Sequence, residues 1–144
     1  MTTRFLSRDI ELLVALVEHS ILTTEQVTRL QGMSGLQVAR RRTAQLEKQG
    51  LIQSRERQFR RRRGRPEKIL SISPLGADLL REKGLLPDWV SSEQLPITAA
   101  ACEGHQLLLN WFRIHLQYLP TVIPSLDVGF LSPGSLLSPR DALG

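Results

Sequence analysis

The sequence predicts a mainly α-helical fold with one small β-hairpin, and three observations carry that expectation. Apolar residues recur at helical spacing through the first fifty positions and again near residue 110. Capping signals and turn glycines divide the first stretch into three short helices. The period changes to that of strands only between Leu51 and Ser73. With 144 residues, 41% hydrophobic and 23% charged, the chain can bury the core of one small domain with an appendage.

The first helix is expected to start at Ser7 as N-cap, with Asp9 and Glu11 complementing the helix dipole. Ile10, Leu13, Val14 and Val17 form its buried stripe, which stops between Glu18 and Ser20. A short extended bridge, Ile21-Leu22, leads into Thr23-Thr24-Glu25-Gln26. There the Thr23 hydroxyl and the Gln26 side chain make a capping box, and Leu22 and Val27 occupy the positions of a hydrophobic staple. A second helix follows from about Thr24 to Leu30. Gln31-Gly32-Met33 is a turn, and Ser34-Gly35-Leu36-Gln37 reads as a second capping box opening a third helix that ends before Gly50. Two helices joined by a short glycine-containing turn make a helix-turn-helix.

Leu51 to Arg57 reads as a strand and Lys68 to Ser73 as its returning partner. The tip between them, Gln58 to Glu67, is basic and broken by Gly64 and Pro66, so the hairpin is a wing. Ser73-Pro74 starts a fourth helix that Gly84 closes, with Leu75, Leu79 and Leu80 packing it onto the core. The expected organisation is a winged helix-turn-helix domain over 1–84 and a linker over 85–97. A helix over 98–119 and a tail rich in Pro, Gly and Ser over 120–144 complete it.

Charge is concentrated in one zone. Between Leu36 and Lys68 stand twelve basic and three acidic residues, net +9; the rest of the chain carries seven basic and eleven acidic, net −4. A zone of that density is a footprint for a polyanion, against the alternative of a solvated charged face. On a helical wheel, Leu36, Ala39, Thr43 and Leu46 of the third helix face the core, and Gln37, Arg41, Ala44, Gln45 and Lys48 lie opposite. Arg reads guanine bidentately and Gln reads adenine, so Gln37 and Arg41 are the expected base readers, with Gln45 on the same face. Arg40, Arg42 and Lys48 are expected phosphate contacts. Val38 meets either a thymine methyl or Met33.

The wing tip holds Arg60, Arg61, Arg62, Arg63, Gly64 and Arg65. Arg63-Gly64-Arg65-Pro66 resembles the core of the AT-hook. A narrow A·T minor groove concentrates negative potential, and glycine lets the backbone approach it. Arg60 to Arg62 then serve phosphates. The competing reading is a disordered basic loop giving nonspecific attraction only.

The helix from Thr98 to Leu119 is expected to stop at Pro120. Leu107, Trp111, Ile114 and Tyr118 form one apolar stripe, and Leu108, Phe112, Leu116 and Leu119 a second; Gln106, Asn110, Arg113 and Gln117 make a narrow polar seam. A surface helix needs an apolar arc of little more than about 100°, and this one is roughly twice as wide. The second stripe therefore asks for another partner. A second subunit supplies one through Leu108, Trp111, Phe112, His115, Leu116 and Leu119; the alternative is that the fourth helix and the tail cover both stripes in a monomer.

The ordered set Leu22 to Gln26, Arg40-Arg41-Arg42, Leu46-Glu47, Gly50-Leu51-Ile52 and Ser73-Pro74-Leu75-Gly76 resembles bacterial winged helix-turn-helix regulators. More narrowly, it is similar to the replication-relaxation family of plasmids, phages and integrative elements. There a His-containing helix follows the winged domain, and the segment His105 to Asn110 resembles it. Thr43 departs from the pattern, standing where such proteins usually carry Leu. The resemblance spans about Ser7 to Leu119 and implies DNA binding, and with it control of the transfer or replication of a mobile element. A bacterial, cytoplasmic, nucleoid-associated protein is the matching location.

Enzyme signals are poor: the sequence holds no P-loop, GxSxG, HExxH or paired CxxC motif. Cys102 and His105 are spaced i, i+3, but zinc wants four ligands or three plus water, so no metal and no cofactor are expected. A single cysteine excludes an internal disulfide. No apolar run approaches the ~18 residues of a membrane span, and the first nine residues lack an apolar h-region, so neither a membrane partner nor a secretory signal is expected. The expected partners are double-stranded DNA, read as a pseudo-palindrome, and a second copy of the chain. No polar constellation argues for a small-molecule inducer. Two function classes result: a dimeric transcriptional regulator, most simply a repressor, with its own promoter as one target open to it, or an accessory winged-helix adaptor that docks a replication or transfer enzyme. An RNA-binding or purely protein-binding module leaves the helix and wing cations without a common target.

Overall fold

The computed structural model describes residues 5–57, 67–86 and 103–127. Within them the elements run α1 (Ser7–His19), β1 (Leu22–Thr23), α2 (Thr24–Leu30), α3 (Leu36–Lys48), β2 (Ile52–Glu56), β3 (Lys68–Ile72), α4 (Pro74–Glu82) and α5 (Glu103–Val122). The strands form one antiparallel sheet in the order β1-β3-β2. This is a mainly helical, winged-helix-like fold with a small β wing. One strand exceeds expectation: the bridge at Ile21-Leu22 becomes β1, pairing Leu22 with Leu70 and Thr23 with Ile69.

Local chemistry explains most element ends. The capping box at α2 forms as expected, with Gln26 N donating to Thr23 Oγ1 and Thr23 N donating to Gln26 Oε1. Ser73 caps α4 by accepting from Gly76 N, with Pro74 in the first turn. Gly50, at φ +77°, follows the C-cap of α3, a backbone state that favours glycine.

Three caps and ends are corrected. The N-cap of α1 is Leu6 rather than Ser7, and Asp9 Oδ2 accepts its N–H. The N-cap of α3 is Gly35 without any side-chain cap, so Ser34 and Gln37 are out of register for a second capping box. Pro120 does not end α5, which continues to Val122. Proline removes only one N–H of the ladder. Thr121 Oγ1 bonds Tyr118 O and Ile123 N bonds Leu119 O, so the last turn closes around it.

The main core gathers Leu12, Leu13 and Leu16 of α1, Leu22, Val27, Leu46, Leu51 and Ile52, Leu70 and Ile72 of β3, and Ala77 and Leu80 of α4. Leu86 joins it, so the first residues after α4 pack rather than link; the linker from 87 onward lies outside the described residues. Leu79 packs against the core, but Leu75 is exposed. The close approach of α4 is made by Gly76 instead, where a Cβ would lie 2.2 Å from Leu51 O.

In β3 side chains alternate faces. Leu70 and Ile72 enter the main core, whereas Ile69 points the other way into a small cluster with Ile21 and Leu107 of α5. The sheet is thus covered on both faces, with the helical core on one side and α5 on the other.

Candidate nucleic-acid interface

Helix α3 is fixed by its inner face. Ala39, Thr43 and Leu46 are buried, as the wheel predicts. Thr43 fits an apolar site because its hydroxyl donates back to Ala39 O at 2.9 Å and contacts Arg40 O at 3.2 Å, leaving its methyl for packing. The opposite face is open: Gln37, Arg41, Ala44, Gln45 and Lys48 are exposed, and Arg40 is half-buried. Val38 stays 44% exposed on that side while Met33 packs against the core.

Arg42 is placed differently. Its Nε donates to Asp9 Oδ1 at 2.8 Å, and its Nη2 is buried without a hydrogen-bond partner among the described residues. The structure therefore separates Arg42, held against α1, from Arg41, which faces solvent.

The base of the wing is also built. Ser54 Oγ donates to Glu47 Oε1 at 2.6 Å, joining β2 to the last turn of α3. Arg57 pairs with Glu67 at 3.0 Å, and Arg57 N donates to Glu67 O, closing the neck of the hairpin. Arg60, Arg61, Arg62, Arg63, Gly64 and Arg65 lie outside the described residues.

Three residues of the polar seam of α5, Gln106, Asn110 and Arg113, face inward, which sequence reasoning missed, while Gln117 is exposed. Asn110 is fully buried; its Nδ2 donates to the Ile21 and His19 carbonyls, and its Oδ1 accepts from Gln106 Nε2 at 3.1 Å. Gln106 Nε2 also reaches His19 O at 3.2 Å, and Arg113 Nη1 reaches Glu18 O at 3.1 Å. From the other side, the capping glutamine Gln26 donates to Leu107 O at 2.9 Å, and Tyr118 Oη donates to Arg29 O at 2.7 Å. Helix α5 is therefore bolted to the end of α1 and to α2, the first helix of the helix-turn-helix.

These bonds meet at a tight turn. Ser20 has φ 68° and ψ −56°, and Ile21 N donates to His19 O, the pattern of a γ-turn that costs on the order of 1–3 kcal/mol. His19 itself is buried, with Nδ1 bonded to Ala15 O at 2.9 Å and Nε2 without a partner among the described residues. Burial first, and the nearby Arg113 second, push its pKa below the usual 6.5 against the pull of the Ala15 carbonyl.

The outer face of α5 is apolar and open. Leu108 is 69% and Phe112 61% exposed, and Leu109, Val122 and Ile123 are exposed beside them. Trp111, Leu116 and Leu119 are half-buried, and His115 is exposed with its ring 5.9 Å from that of Trp111. Thr98 to Cys102 lie outside the described residues, and with them the Cys102–His105 pair. Among the described residues no helix is long and apolar enough to cross a membrane.

A three-stranded sheet, a helix-turn-helix pair whose second helix shows cations and amides to solvent, and a docked C-terminal helix define a winged-helix-like protein. The profile of the replication-relaxation family matches residues 13–124, and the chain belongs to that family. The matched span runs from α1 through α5, so it includes the joint between them. No curated protein and no solved structure matches the chain.

Proposed function

We propose that the protein is a sequence-specific double-stranded DNA-binding regulator of a mobile element, acting as a dimer on a pseudo-palindrome and serving most simply as a repressor. The observation that carries this reading is the division of α3. One face is locked into the core by Ala39, Thr43 and Leu46, and the other presents Gln37, Arg41, Gln45 and Lys48 to solvent. A helix held this way can enter a major groove with hydrogen-bonding side chains at base edges and cations at the phosphates. The wing, whose neck is closed by Arg57 and Glu67, carries its arginines toward the adjacent minor groove. On this reading the protein binds and does not catalyse.

The dimer follows from α5. Its inner face is occupied by the winged unit, and its outer face exposes Leu108 and Phe112 on a stretch whose one full charge, Arg113, is turned to the α1 carbonyl. An uncharged apolar face is where two chains of net charge +5 can meet without repulsion. Selection of bound sequences from random duplexes tests the reading. A recovered inverted repeat supports it, and recovery of no consensus overturns it.

The family's description favours one second reading, an adaptor that seats a replication or transfer enzyme on DNA. Footprinting separates the two: protection over a promoter supports the regulator, and protection confined to an origin or transfer site supports the adaptor.

A further inference from the structure

We infer that Asn110, braced by Gln106, is a positioning residue that sets the angle between α5 and the helix-turn-helix, and thereby the half-site spacing the dimer accepts. The inference rests on the reading of the protein as a DNA-binding dimer. Two recognition helices must enter grooves about one helical turn apart, and a dimer discriminates sharply between spacings only when the arm joining each helix to the dimer axis is stiff. That arm is the joint between α5 and the unit formed by α1, β1 and α2.

The joint combines packing with directional bonds. Ile21, Ile69 and Leu107 form a small buried apolar cluster and Ile114 of α5 is buried as well, but apolar contact of this kind can be kept by a helix that slides or rotates. Hydrogen bonds do not tolerate such movement. Asn110 uses both amide hydrogens and its carbonyl oxygen, binding Ile21 O, His19 O and the Gln106 amide, and it has no access to solvent. Turning α5 about its axis would bury an unpaired amide, so one orientation is singled out from several that apolar contact permits. A buried asparagine fixing helix register in coiled coils is the physical parallel.

The carbonyls that Asn110 grips lie on either side of the Ser20 γ-turn, and Gln26 grips Leu107 O from α2. Both grips act on the two elements that precede α3, so the orientation of α5 is referred directly to the helix-turn-helix.

The experiment uses the full chain with Asn110→Leu, a near-isosteric apolar replacement, and the gentler Gln106→Ala. Each is titrated on a single half-site duplex and on a series of paired half-sites whose centres are moved apart one base pair at a time. The wild type is expected to prefer one spacing. Asn110→Leu is expected to keep the dimer mass and the half-site affinity while its preference for that spacing falls roughly fivefold or more, the scale of a coupling between sites; Gln106→Ala falls in the same direction by less. Should Asn110→Leu not fold, Gln106→Ala carries the test alone. A variant that keeps the wild-type spacing preference overturns the role of Asn110 and leaves the DNA-binding reading intact. A wild type with no spacing preference overturns both, and it does so in the wild-type arm, where the two failures are told apart.

Discussion

Arg42 donates Nε to Asp9 Oδ1 at 2.8 Å, an ion pair that ties the basic helix α3 to the first turn of α1. Asp9 is already engaged there, its second oxygen accepting the N–H of Leu6. The side chains are 24% and 13% exposed, so the pair is sheltered but not dry. Three consecutive arginines thus have unequal tasks, and the inequality follows from helix geometry: a 100° step carries Arg41 to the solvent face and Arg42 to the α1 side.

Substituting these arginines separates the tasks. Arg42→Ala is expected to lower stability by about 1 kcal/mol, between the values for exposed and buried pairs, with a small effect on DNA affinity. Arg41→Ala is expected to leave stability unchanged and to weaken the preferred site by about 1–3 kcal/mol. Thermal melts and anisotropy titrations of both variants decide it. An Arg42→Ala protein that melts like wild type but loses as much DNA affinity as Arg41→Ala would assign Arg42 to the DNA instead.

Much of the fold was legible because short-range rules governed it. Thr23 and Gln26 sit at the spacing of a capping box, Ser73-Pro74 opens α4, and Gly50 follows α3, each fixed by neighbours within four residues. The wheel of α3 was legible for the same reason, since one apolar stripe facing one core leaves the other face to solvent. Helix α5 was not, because its polar seam is satisfied by carbonyls nearly ninety positions away, at His19 and Ile21. Polar residues on a helix suggest a wet face unless the distant acceptors are known. A signal did exist in β3. Ile69 and Leu70 are consecutive apolar residues in a strand, which requires a cover on both faces, and α5 is the second cover. Pro120 misled in the other direction, since near a C-terminus only a few residues remain to be disrupted.

His19 makes the joint sensitive to acid. Burial lowers its folded pKa below the unfolded value of 6.5, with Arg113 adding to the shift and Glu18 the nearest acidic neighbour in sequence. Well above pH 6.5 both states are neutral at this position and it contributes no pH dependence. As pH falls through 6.5 the unfolded chain takes a proton that the folded chain refuses, so stability declines until the folded pKa is passed. Stability measured by urea unfolding between pH 8 and pH 5 is expected to fall in that window, and His19→Gln to remove the part due to this group. An identical decline in the variant would place the sensitivity elsewhere.

The outer face of α5 predicts the oligomeric state. Phe112 and Leu108 are exposed, so the core of the winged unit does not depend on burying them. Phe112→Arg and Leu108→Arg are therefore expected to yield folded monomers with normal melts, because an interface anchor is removed and a charge is set in its place. Sedimentation equilibrium at micromolar concentration reads the mass directly. A wild-type protein already at the mass of one chain would refute the dimer.

If the proposed reading holds, α3 and the wing should fail differently, because it assigns them to different grooves. Gln37 and Arg41 stand on the open face of α3, where loss of one base contact relaxes specificity at one position. Arg63 and Arg65 stand in sequence between Arg57 and Glu67, whose ion pair closes the neck of the hairpin, and on the proposed reading they serve the groove beside each half-site. A narrow A·T minor groove has the stronger negative potential, so Arg63→Ala with Arg65→Ala should weaken binding most on A·T-rich flanks. Generic phosphate contacts would instead give a loss independent of the flank, along with a shallower dependence of affinity on salt. The measurement is a pair of competition titrations, on A·T-rich and G·C-rich flanks, for wild type and the double variant at one ionic strength. Equal losses on the two flanks would reduce the wing to a nonspecific anchor and leave sequence reading to α3 alone.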